Sequence, residues 1–228
     1  MKKKMAPDCA RCPNAACSPP MGSTEKPSLA KAPASCPMKV MPGVMKKALT
    51  EYEKPDIREF ARQASIQEFE CYENTPEGRR TRNPRIVELI QFAHKMGYKK
   101  LGLAFCTGLT NEARIVTEIL ENQGFQVVSA RCKMGAVPKE KIGIKPEEKI
   151  GGPSSCEMMC NPIAQAAVLN SEKVDMAILL GLCLGHDTLF MQNCRVPMTV
   201  LAVKDRVTGH NPLAAIYLAS SYYSRLRK

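Results

Sequence analysis

Four cysteines near the N-terminus, Cys9, Cys12, Cys17 and Cys36, are spaced C-x2-C-x4-C-x18-C. Four more, Cys106, Cys132, Cys160 and Cys183, stand where hydrophobic runs break into Gly, Asn or Lys turns. A two-residue knuckle such as Cys9–Cys12 is shared by zinc ribbons and iron–sulfur sites, and Cys17 and Cys36 complete four thiolates at workable separations. Spacing alone does not separate zinc from iron. A closed four-thiolate site would be structural or electron-carrying rather than hydrolytic.

The second group is read from position rather than from spacing. Cys106 ends LGLAFC, Cys132 follows FQVVSAR, Cys183 ends VDMAILLGLC, and Cys160 immediately precedes Asn161-Pro162. If the three runs are parallel strands, Cys106, Cys132 and Cys183 fall at one sheet edge. Cys160 joins them at a helix N-terminus, where the helix dipole favours a thiolate. Thiolates converging in this way suit a soft metal or an iron–sulfur cluster. Cys106, Cys160 and Cys183 alone would leave one iron open to substrate. Cys132 as a fourth ligand would close the cluster, and Cys156 is an alternative fourth ligand. A cysteine at a strand end is also an ordinary small buried residue; Cys71 and Cys194 are read that way.

Polar residues gather beside these thiols. Cys183-Leu184-Gly185-His186-Asp187 puts an imidazole and a carboxylate just past a strand end, either as acid and base or as helix caps. Lys204-Asp205-Arg206-Val207-Thr208-Gly209-His210-Asn211 is a second polar loop at the same edge, suited to binding an anion or orienting a substrate. His186, Asp187, Asp205 and His210 are therefore the candidate catalytic residues. His94 lies in a helical pattern and reads as surface or satisfied core. No G-x-G-x-x-G, Walker or nucleophile-elbow pattern is present.

The elements that must position these residues follow from the hydrophobic pattern. The 228 residues are 44% hydrophobic, enough for one sizeable core and a small appendage. Residues 1–43 are rich in Pro, Ser, Ala and Lys and cannot build an apolar core, so a metal would have to fold them. Residues 44–82 read as a helical segment and a linker. Residues 83–228 alternate helices with strands at 101–105, 125–130, 174–182 and 198–203. That alternation predicts an α/β domain: a mostly parallel, Rossmann-like sheet with helices on both faces, preceded by a small Cys-rich metal-binding module. Ligands bind outside the carboxyl ends of such strands. The Gly-, Pro- and Lys-rich loop at 134–155 is long enough to be a lid or clamp.

Bulk composition narrows the setting. Eleven cysteines, an odd number, argue for metal chemistry in a reducing, cytoplasmic compartment rather than a disulfide framework. No apolar run reaches about 18 residues, so no membrane span is expected. The basic start Lys2–Lys4 lacks the apolar stretch of a signal peptide. Net charge is +11, spread over Lys2–Lys4, Arg79–Arg85, Lys133–Lys149 and Arg225–Lys228. Arg79, Arg80 and Arg82 are the best support for nucleic acid, but aromatics are 5% and Trp is absent, against a stacking surface. Anionic small molecules or cofactors explain the same positive field equally well, and the expected partner is a small molecule or an electron-transfer partner.

The stretches C-A-R-C-P-N-A-A-C, L-A-F-C-T-G-L, C-N-P-I-A-Q-A, L-L-G-L-C-L-G-H-D and V-K-D-R-V-T-G-H-N-P together resemble a family of uncharacterised prokaryotic proteins, a cysteine-rich domain-of-unknown-function family. The resemblance spans nearly the whole chain and implies metal binding through cysteine. In arrangement the second group also resembles small iron–sulfur desulfidases, thought to hold a cluster by three cysteines. The expected cofactor is an iron–sulfur cluster or zinc. The first reading is a redox or sulfur-chemistry centre at the sheet edge. The alternative is a zinc-binding, non-enzymatic protein that contacts nucleic acid or a partner protein.

Overall fold

The computed structural model describes residues 5–13 and 15–227. Lys2–Lys4 and Lys228, counted above among the basic residues, lie outside them. The chain divides into two compact units, 1–66 and 67–228.

The first unit holds α1 (Pro37–Val40), α2 (Pro42–Glu51) and most of α3 (Pro55–Glu70). The single helix expected from residue 44 is interrupted because Pro55 cannot continue α2 and instead opens α3. Among the described residues of this unit only Ala32 is buried, which leaves it almost no hydrophobic core.

The second unit opens with a hairpin, β1 (Tyr72–Thr75) and β2 (Gly78–Thr81), paired antiparallel from Tyr72↔Thr81 to Thr75↔Gly78. Here the sequence reads as a linker. Pro76 presets the first turn position, and Gly78 adopts φ 122, which a side chain would resist. The strands escape pattern recognition because they bury no face. Then follow α4 (Arg85–Lys95), β3 (Lys100–Phe105), α5 (Thr110–Asn122), β4 (Gln126–Arg131), α6 (Pro162–Ser171), β5 (Met176–Leu180), α7 (His186–Asn193), β6 (Met198–Ala202) and α8 (Leu213–Tyr217). The last helix is shorter than the run from 211 to 223 suggests, and α7 is an addition to the expected set.

β3 to β6 form one parallel sheet in the order β4-β3-β5-β6. Alternate residues of β3 point to opposite faces. Leu101, Leu103 and Phe105 pack with Leu89 and Ala93 of α4 and with Ala113, Val116 and Leu120 of α5. Ala104 packs with Ala166 and Leu169 of α6 and with Phe190 of α7. The result is the expected α/β layering with a core on each face. Each fully buried Leu or Ile contributes about 1.5–3 kcal/mol. Asp175 sets the start of the sheet by accepting the backbone N–H groups of Lys99 and Lys100 at 2.7 and 2.8 Å. Arg85 covers the β6 edge, donating to Val200 O at 3.0 Å and Thr199 Oγ1 at 2.7 Å. From β3 the chain goes to β4 on one side and to β5 on the other. The carboxyl ends of β3 and β5 therefore flank the topological switch point.

Candidate metal centres

Three backbone hydrogen bonds assemble the cysteines of the second unit. Cys106 N–H donates to Leu180 O at 3.2 Å, Cys132 N–H to Phe105 O at 2.9 Å, and Asn161 N–H to Cys132 O at 2.7 Å. The first two continue the parallel ladder one step beyond the strands, so the residues after β3 and β4 stay beside their neighbours, and the third ties the head of α6 to Cys132. Asn161 caps α6 through its side chain, accepting from Ala164 N at 3.1 Å, and this holds Cys160 against the strand ends. Gly181 turns the chain after β5 with φ +64; a Cβ there would lie 2.1 Å from Leu109 Cδ1. The turn delivers Leu182 to the core and Cys183 to the edge.

The four sulfurs share one neighbourhood. Cys132 and Cys160 stand 3.8 Å apart, sulfur to sulfur. Cys132 is 3% exposed, and its Sγ accepts the Thr107 backbone N–H at 3.2 Å. Hydrogen bonding to Cys132 and burial push the Cys106 thiol up to about 12. A hydrogen bond from Cys132, aided by the charge of Lys133 and opposed by burial, holds Cys160 down at about 6. The charges of Cys183 and Cys106 also act on Cys160. Thus one thiol of the group keeps its proton at neutral pH while another gives it up.

Cations surround these sulfurs. Arg206 Nη2 donates to Cys183 Sγ at 3.1 Å. A Cβ built on Gly108 would stand 3.7 Å from Lys204 Nζ and 4.0 Å from Cys106 Sγ, so ammonium and thiol flank one glycine. Lys133 donates to Met158 O. Among the described residues none of Lys133, Lys204 and Arg206 forms an ion pair with a carboxylate. Burial first, and then the charge of Lys133, push the His186 imidazole below its ordinary value, and its buried Nδ1 has no hydrogen-bond partner among the described residues.

The other candidate polar residues serve their own loops. Asp187 accepts from Thr188 N at 2.7 Å. Asp205 accepts from Val207 N and Thr208 N at 2.9 Å each, and these bonds hold its carboxyl below the usual range. His210, at φ 67, keeps Nδ1 3.1 Å from both Asp205 N and Val203 O. Cys156 is exposed on the long loop. Cys71 donates to Gln67 O at 3.0 Å, Cys194 lies near Val196 O at 3.7 Å, and His94 stacks on Phe125 at 4.5 Å.

Two contributors have no motif in the sequence. Gln165, fully buried on α6, donates through Nε2 to Phe105 O at 3.2 Å and Ala130 O at 2.7 Å. It clamps the ends of β3 and β4 immediately before their cysteines. The available signal was a lone amide inside the apolar helix P-I-A-Q-A-A-V-L. Lys133 was counted only among the scattered charges.

In the first unit, Cys9, Cys12, Cys17 and Cys36 all line one hollow of about 190 Å³, with Ala15, Pro33, Pro37 and Met38 between them. Cys12 N–H closes a turn on Cys9 O at 3.1 Å, and Cys36 heads α1. None of the cysteines is in a disulfide. Among the described residues no group of three or more His, Cys, Asp or Glu stands at metal-holding spacing. The thiols of both units converge without having closed to ligand geometry. The donor chemistry fits a soft metal in each case, four sulfurs apiece, and in the second unit a backbone N–H at Cys132 and a guanidinium at Cys183 are available to offset thiolate charge.

A family described as protein of unknown function (DUF1847) matches residues 36–201. An uncharacterised protein of Methanocaldococcus jannaschii is 38% identical over 180 residues, covering 79% of this chain and 86% of the relative. Among solved structures, two of Dph2 from Pyrococcus horikoshii, one of them with a 4Fe-4S cluster, each align with 64% of this chain at 14% identity and a TM-score of 0.34. This chain spans about a third of the length of that Dph2 chain, 33%. No helix among the described residues is long and apolar enough to cross a membrane.

Proposed function

This chain belongs to the DUF1847 family of proteins of unknown function, and on that premise we propose that it is a cysteine-ligated metal-binding protein with an iron–sulfur centre at the sheet edge. Cys106, Cys132, Cys160 and Cys183 would hold the centre. The observation that carries the reading is the 3.8 Å between the Cys132 and Cys160 sulfurs, where the carboxyl end of β4 meets the head of α6, with Cys106 and Cys183 following the adjacent strands β3 and β5. When bound, such a centre supplies one-electron redox chemistry or an iron site for substrate sulfur.

The protein's own residues have separable tasks. Thr107 N–H and Arg206 stabilise thiolate charge at Cys132 and Cys183. Lys133 and Lys204 supply further positive charge. His186, whose imidazole burial and Lys133 push below its ordinary value and whose Nδ1 has no hydrogen-bond partner among the described residues, would be available to take up a proton. Asp187, Asp205 and His210 shape the two loops that bring His186 and Arg206 to the thiols. In the first unit, Cys9, Cys12, Cys17 and Cys36 would hold zinc or a second cluster in a structural or electron-carrying role. The alternative, a zinc protein that contacts nucleic acid or a partner protein without catalysis, rests on the same N-terminal thiols and the +11 charge.

The test is the iron, zinc and acid-labile sulfide content of protein purified without oxygen, with its visible spectrum. Iron with matching sulfide and absorption near ~400 nm supports the proposal. Zinc alone, at about one per chain, supports the alternative. Cys183→Ser is expected to lower the iron content while circular dichroism shows the second unit still folded. Unchanged iron in that variant would sink the shared site.

A further inference from the structure

Apolar side chains stand unusually far out of the protein around the sheet-edge thiols. Leu184, the residue after Cys183, is 92% exposed, and Val207, the residue after Arg206, is 78% exposed. Ile163, three residues after Cys160, is 49% exposed. The first two belong to loops joined to one another by the Arg206–Cys183 contact at 3.1 Å and by Lys204 N–H donating to Leu182 O at 3.3 Å. Three separate elements thus each contribute one exposed aliphatic residue beside a thiol or its cation. Lys133, Lys204 and Arg206 lie on the same rim without carboxylate partners among the described residues. Exposed aliphatic side chains on the two joined loops, with cations that face no carboxylate among the described residues beside them, have the anatomy of a transient docking site. Weak electron-transfer encounters are the small-area class of such sites, and complementary charge sets their rate and specificity.

We propose that this face, built from Leu184, Val207 and Ile163 with Lys133, Lys204 and Arg206, docks an acidic electron-carrier protein against the thiol-held centre. The inference rests on the iron–sulfur reading above and names its partner. Charge complementarity selects the occupant: an acidic carrier meets three cations that face no carboxylate among the described residues, on a chain of net charge +11, whereas a second copy of this chain would oppose them with its own. With a cluster held by these cysteines, docking would allow one electron to pass from the reduced carrier, which would be oxidised, to the centre, which would be reduced, with no bond made or broken.

The experiment uses the full-length protein loaded with metal, its iron and sulfide measured first. The probe is an acidic plant-type [2Fe–2S] ferredoxin, with a basic cytochrome c as the contrasting carrier. Affinity is read by surface plasmon resonance from about 0.05 to about 0.5 M salt. The ferredoxin is expected to bind and to lose about tenfold or more in affinity across that range, while the cytochrome does not bind. Leu184→Ser with Val207→Ser is expected to weaken ferredoxin about tenfold; both side chains are exposed, so melting temperature and iron content stay unchanged. Lys204→Gln is expected to flatten the salt dependence. A loaded protein that ignores ferredoxin, binds both carriers alike, or is indifferent to the serine variant overturns this inference and leaves the centre standing. A protein with neither iron nor sulfide overturns the centre and this inference with it.

Discussion

At the scale of single residues, the thiols are made unequal by what touches them. Cys132 is buried and accepts a backbone N–H, Cys160 is held at about 6, and Cys106 is raised to about 12. Their separation depends on residues that carry no metal-site motif. Gln165 ties Phe105 O to Ala130 O from within the core. Replacing it by Leu removes the clamp between the two strand ends and a donor to each carbonyl, Phe105 O keeping the Cys132 N–H, at a cost of about 1 kcal/mol. Gln165→Leu is therefore expected to lower the melting temperature of metal-free protein by several degrees. It should also broaden the spectroscopic signature of the loaded centre, because the ends of β3 and β4 are no longer locked. A variant with unchanged stability and spectrum would show that the strand ends are set by the sheet alone.

At the scale of elements, the long loop before Cys160 is a folded clasp rather than a free lid. Pro138 bridges to Met158, Lys139 N–H donates to Glu157 O at 2.9 Å, and Met159 N–H donates to Val137 O at 2.8 Å. Inside this short ladder Glu157 pairs with Lys139 and accepts Gly151 N–H, while Lys149 pairs with Glu140. The hydrogen bond from Lys139, and then that from Gly151, hold the Glu157 carboxyl at about 2 instead of 4.5. A carboxyl with a depressed folded-state value stabilises its surroundings fully above about 4.5 and loses that contribution as the pH falls through about 2. Hydrogen exchange followed by mass spectrometry is expected to find residues 138–158 protected at pH about 5 and opened near pH about 2, and Glu157→Gln to open them already at about 5. Equal protection of the variant at pH about 5 would remove Glu157 from the clasp.

At the scale of the whole molecule, the two units rest on different forces. The second has an apolar core on each face of its sheet. The first buries only Ala32 among its described residues, and its cysteines gather at one hollow. A segment with so little core would need a bound metal to hold it folded, as the proposed N-terminal site supplies. A chelator is expected to raise hydrogen exchange throughout residues 5–66, while β3 to β6 stay protected. Uniform protection after complete metal removal would show that the first unit folds without metal.

The sequence by itself determined the α/β alternation, the strands, the Asn161 cap and the placing of Cys106, Cys132 and Cys183 just beyond strand ends. Each of these depends on neighbours a few residues away: apolar runs, Gly and Pro stops, a capping amide. The hairpin at 72–81 stayed hidden because its strands bury no face, and α7 because its start overlaps a loop motif. Only the tertiary structure decided the strand order, and with it that β3 and β5 are adjacent and the thiols share one edge. It alone revealed that Gln165 reaches across two strands, that Asp205 and His210 bind their own loop, and that Leu184 and Val207 stand out in solvent. Such facts depend on residues far apart in the chain, whose meeting no local spacing encodes.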